Sequence, residues 1–141
     1  MEQFNALAAL YRDYLEEYAR RVEEAGPLRG LHKFIRGGAS RSDSKADVAF
    51  YRAVEQTVAA WTEEDDALGA VRLMVLEAEG ADAESRLMMD ATQALAIPLL
   101  PRLSREDAAE ILAAYKARYP KKRMLLPKQR ELLAALEEAA K

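Results

Sequence analysis

The chain has 141 residues, half of them hydrophobic and 32% charged, with six glycines, five prolines, no cysteine and a formal net charge of −3. That length and balance suit one globular domain and exclude a disordered or fibrous chain. The missing cysteines exclude disulfides, thiolate nucleophiles and iron–sulfur clusters, and the single histidine, His32, excludes a two-histidine zinc motif and a paired Glu-x-x-His di-iron site.

Apolar residues recur at three and four positions, which predicts an all-α chain: a compact bundle of six or seven helices, largely antiparallel, in a single domain over 1–141. The first helix carries Phe4, Leu7, Tyr11, Tyr14 and Tyr18 as one stripe and stops at Gly26-Pro27. Phe4, Tyr11, Tyr14 and Tyr18 are candidates for core or, if exposed, for a subunit interface. A short helix is expected over 28–36, followed by a Ser/Gly-rich mobile loop over 37–44.

Ser44, with Asp47 three residues on, reads as the cap of a helix whose inward stripe is Val48, Tyr51, Val54, Val58 and Trp61. Thr62 and the four acids after it read as the start of the next, through Leu68, Val71, Met74, Val75 and Ala78 to Gly80. Asp82 is expected to cap a helix with Leu87, Met88, Ala91 and Leu95 inward, ending at Pro98. Ser104 caps another, through Ala108, Ile111, Leu112 and Tyr115 to Pro120, and Pro127 opens the last, with Leu132, Leu133 and Leu136 inward. Residues 104–140 form a basic helical hairpin.

The net charge conceals segregation. Residues 46–98 carry three arginines against eleven acids, a net of −8. Residues 116–130 carry Lys116, Arg118, Lys121, Lys122, Arg123, Lys128 and Arg130 with no acid, and residues 29–45 carry Arg29, Lys33, Arg36, Arg41 and Lys45 against Asp43 alone. These twelve cations are the candidate polyanion-binding residues.

Two short segments bear on that reading. Ser104 to Ala113 resembles the first helix of a helix-turn-helix, with Ala109 as its small packing residue. Leu126 to Leu133 resembles the opening of the DNA-reading C-terminal region of bacterial sigma factors. They stand in the reverse order for that region, and Pro120 would fall inside the recognition helix, so two amphipathic helices around a proline turn fit every residue as well.

Catalytic vocabulary is sparse. Ser42 to Lys45 has Ser-x-x-Lys spacing without its companion motifs, Glu77, Glu79, Asp82 and Glu84 cluster at one corner, and no phosphate-cradling glycine loop is present. The start of the chain does not read as a secretory signal, and the apolar runs are shorter than a membrane span, so a soluble, cytoplasmic protein is expected. The function expected first is a self-associating, non-catalytic interaction or scaffold protein without cofactor, whose partner is another protein or a second copy. Nucleic-acid binding through 116–130 with 29–45 is the alternative. A small enzyme or anion-binding protein centred on His32 and the 36–45 loop is the second alternative.

Overall fold

The computed structural model describes residues 1–25 and 41–141, the side chains of 25 and 41–44 excepted. Among the described residues there are six α-helices and no strand: α1 (Glu2–Ala25), α2 (Arg41–Ala59), α3 (Ala67–Arg72), α4 (Ala83–Thr92), α5 (Arg105–Arg118) and α6 (Pro127–Ala139). A π-helical turn, Leu73–Glu77, prolongs α3, a 3-10 segment, Gln93–Arg102, prolongs α4, and a short 3-10 turn, Lys122–Met124, joins α5 to α6. The helix expected over 28–36, His32, and the 37–40 part of the expected loop lie outside the described residues.

The Gln93–Arg102 segment is the hub, packing against α6, α3, α2 and α4. Pro98 and Pro101 remove two backbone donors, so α-helical bonding cannot continue past α4, while Ala96, Leu99 and Leu100 still turn inward. The helix therefore does not stop at Pro98; it tightens and runs on to Arg102.

On α1 the expected stripe is inward, with Leu7, Tyr11, Tyr14 and Tyr18 buried and Phe4 half-buried. It packs on α2, where the Phe50 ring stacks on Tyr14 at 4.4 Å and meets the edge of Tyr11 at 5.0 Å. This corrects the inward stripe of α2. Asp47, Phe50, Val54 and Val58 share its inner face, with Trp61 buried just beyond its end, Tyr51 is half-buried and Val48 faces water, because the Tyr14 hydroxyl draws Asp47 inward with a 2.6 Å hydrogen bond. The start of α2 is corrected too. It already includes Arg41, so Ser44 lies within it rather than capping it, and 41–44 is helix rather than loop; no glycine or proline interrupts the chain from Arg41 to Ala60.

Thr62 likewise opens no helix. Its N–H and hydroxyl both donate to the Asp65 carboxylate, and Asp66 caps α3 by accepting from the Gly69 N–H at 2.8 Å. Asp82 and Ser85 form a reciprocal capping box on α4, Ser104 caps α5 through the Asp107 N–H, and Pro127 occupies the first turn of α6, all as expected. Leu87 is 56% exposed on α4, whose inner face is instead Ser85, Met89 and Thr92.

Candidate functional site

Where α5 meets α6, six exposed charged residues between 116 and 130 are all of one sign. Pro120 cannot continue α5, so Tyr119 leaves the helix and the chain turns over Lys122–Met124 before Pro127 restarts it. A buried polar network holds this corner. The Gln93 carbonyl oxygen accepts from the Tyr115 hydroxyl at 2.7 Å and from the Gln129 amide at 3.1 Å, and its amide donates to the Tyr119 hydroxyl at 2.9 Å. Tyr119 in turn donates to Asp90, and the Gln129 carbonyl oxygen accepts from the Leu126 N–H. The oxygen and the nitrogen of both amides are engaged, tying the Gln93–Arg102 segment to Tyr115 of α5 and Gln129 of α6, which fixes the register of the hairpin.

On that frame Lys116, Lys121, Lys122, Arg123 and Lys128 are all exposed, and none makes an ion pair among the described residues. Arg130 is exposed as well, and it donates to the Arg123 carbonyl at 3.1 Å, bracing the turn. Met124 is the most exposed large apolar side chain among the described residues, at 74%.

Arg118 differs from its neighbours. Its guanidinium donates to the carbonyls of Val75, Leu76 and Ala78 at 3.0, 2.9 and 3.4 Å, and it lies 5.2 Å from the Tyr119 ring centroid. The π-helical turn leaves those carbonyls without helical partners, and a planar fork of donors suits three of them at once. Arg118 therefore seals the end of α3 and does not belong to the open cationic surface.

Lys45 is exposed on α2, whose main packing is to α1, the Gln93–Arg102 segment and α4. Arg29, Lys33 and Arg36, with the side chain of Arg41, lie outside the described residues. Tyr11, Tyr14 and Tyr18 are no more than 8% exposed, so the aromatic stripe is consumed within one chain and offers no free face to a second. Burial pushes the Tyr11, Tyr14 and Tyr115 hydroxyls far above the usual tyrosine value, and the hydrogen bond to Asp47 adds to the effect at Tyr14.

At the far end of α5 the sign reverses. Glu63, Asp65, Asp66, Ala67, Leu68, Arg102, Leu103 and Asp107 line a cavity of about 340 Å³. Asp65 is the buried member: one oxygen meets the Met1 amine at 2.8 Å and accepts from the Gln3 and Phe4 N–H groups, and the other is held by Thr62. The bond from the terminal amine, with those from Thr62 and Phe4, holds its carboxyl well below the usual range. Arg102 donates to the Trp61 carbonyl at 3.2 Å.

Among the described residues no group of three or more histidines and acids is placed to hold a metal, and no helix is long and apolar enough to cross a membrane. Sequence reasoning found the basic hairpin but missed the Gln93 network and the Asp65 cap, because a glutamine inside an apolar stretch and one acid among four give no signal until the partners come together. Comparison with known protein families, characterised proteins and solved structures gives no match.

Proposed function

We propose that the chain is a non-catalytic interaction protein that engages an anionic partner surface through the corner formed by Lys116, Lys121, Lys122, Arg123 and Lys128. One observation carries this reading: all five cations, on the turn and on the helix ends that flank it, are exposed, and none has an ion-pair partner among the described residues. Cations without internal partners keep their hydration until a complementary surface arrives, which is how charge sets association rate and specificity.

The test is retention on a sulfonated cation exchanger at pH 7.5 and low salt, where a chain of net charge −3 should flow through if its charge were evenly spread. Retention of the unaltered chain, and flow-through of Lys121→Ala/Lys122→Ala/Arg123→Ala, supports the reading. Flow-through of both removes it.

A second reading, contact with a nucleic-acid backbone, draws on the start of α6. Leu126 supplies no side-chain cap there, and Lys128 stands in the first turn of the helix, where the dipole favours an anion. Anisotropy of a labelled duplex, with binding lost steeply as salt rises, tests it.

A further inference from the structure

The chain carries its own complement to the cationic corner. α5 runs from Glu106 and Asp107 in its first turn to Lys116 and Arg118 in its last, so its 14 residues set the two ends roughly 20 Å apart. At the acidic end, Glu63, Asp66 and Asp107 line the 340 Å³ cavity without an ion pair of their own, and Leu68 and Leu103 add apolar surface beside them. Arg102 is the one cation in the lining. At the basic end, the Lys121–Met124 turn is its counterpart in shape and chemistry: three cations and a bare thioether on a braced backbone. The Met124 N–H bonds the Lys121 carbonyl, the Leu125 N–H bonds the Lys122 carbonyl, and Leu125 is buried as the anchor.

We propose that a second copy of this chain docks its Lys121–Met124 turn into the Glu63/Asp66/Asp107 cavity, so that copies associate head to tail. This rests on the reading of the corner as the working surface, and names its partner. The cavity's volume falls at the lower end of the range for pockets that enclose a small ligand, enough for a methionine side chain with the aliphatic stem of a lysine beside it. Knob and cavity lie on different parts of the molecule, so the contact is heterologous and each docked copy still offers a free end. The cavity sets four carboxylates against Arg102 alone, and the turn offers three cations without an ion-pair partner among the described residues, so the two surfaces are complementary in charge.

The experiment is sedimentation velocity of the full chain at low salt and at a salt concentration that screens surface charge within about 5 Å. The weight-average mass is expected to rise with concentration, to about 1.5 times the 15.8 kDa monomer or more at low salt, and to return to the monomer at high salt. Met124→Asp, and separately Lys121→Glu/Lys122→Glu/Arg123→Glu, should remain monomeric at low salt, as should Glu63→Lys/Asp107→Lys. Mixing the charge-reversed turn with the charge-reversed cavity restores opposite signs at both ends, and association should reappear in the mixture alone. A monomer at every concentration overturns the inference, as does association indifferent to Met124→Asp or a mixture that stays monomeric. If the chain is monomeric yet retained on the exchanger, the second copy falls and the corner reading stands; if the monomer then binds duplex, the partner is nucleic acid. A monomer that is not retained takes both readings with it.

Discussion

Gln129 donates from Nε2 to the Oε1 of Gln93 at 3.1 Å, and both side chains are sealed from water. Replacing Gln93 with leucine leaves the Tyr115 hydroxyl and the Gln129 amide without acceptors inside the core. The expected loss is about 3 kcal/mol, because each stranded buried donor costs roughly 1–3 kcal/mol. Gln129→Leu strands the Leu126 N–H but leaves the Gln93 carbonyl oxygen its bond from Tyr115, and should cost somewhat less. Urea denaturation of the two single variants and the double variant should show strong non-additivity, the second substitution costing far less in the background of the first.

Arg118 and the Lys121–Arg123 turn separate structural from surface charge. Arg118→Ala leaves the carbonyls of Val75, Leu76 and Ala78 unserved, and is expected to cost about 2 kcal/mol. Arg118→Lys should recover only part of that, since an ammonium cannot span three carbonyls as a planar fork does. The triple alanine variant at 121–123 should change stability by no more than about 0.5 kcal/mol. Retention on the cation exchanger should show the opposite pattern, nearly intact in Arg118→Ala and lost in the triple variant.

The same contrast shows what was legible in the sequence. Helix ends set by one residue's chemistry, such as Asp82, Ser104, Pro120 and Pro127, could be read from the chain because the cause and the effect lie within four residues. Where an end depends on a distant partner, the reading failed. The π-helical turn after Arg72 needs Arg118 from forty residues on, and the Thr62–Asp66 run closes a loop because the Asp65 carboxylate is taken by the start of α1. The inner faces of α2 and α4 were misplaced for one reason. Their inward positions include Asp47, Ser85 and Thr92, polar residues that a hydrophobic pattern assigns to solvent and that Tyr14, Asp82 and Tyr11 hold by hydrogen bonds. The cations of the corner were visible as a run; that Arg118 is not one of them required the fold.

Asp65 gives the acid limb of the stability profile. Its folded carboxyl is held below the ordinary value of 3.8, so its contribution is complete above that value and declines as pH falls below it, where the unfolded chain takes up a proton that the folded one refuses. Melting temperatures between pH 2 and pH 6 should therefore fall more steeply for the unaltered chain than for Asp65→Asn. At neutral pH the variant should already be the less stable of the two, because an amide serves the Met1 amine and the N–H groups of Gln3 and Phe4 less well than a carboxylate.

The tyrosines give the alkaline limb, with the opposite sign. Tyr11, Tyr14, Tyr115 and Tyr119 all titrate above the ordinary 10.0 in the folded chain, chiefly because burial disfavours the phenolate. Their contribution is complete below pH 10 and is lost as pH rises past it, since the unfolded chain releases protons that the folded one retains. Absorbance at 295 nm should thus show these four tyrosines ionising only as the helical circular dichroism collapses, in one cooperative step. Tyr14→Phe should make that step shallower and move it to higher pH. The Tyr14 phenolate would face the Asp47 carboxylate across a hydrogen bond of 2.6 Å, and phenylalanine has no proton to lose there. An absorbance rise that precedes the loss of helix would show that these hydroxyls ionise in place, and would contradict their burial.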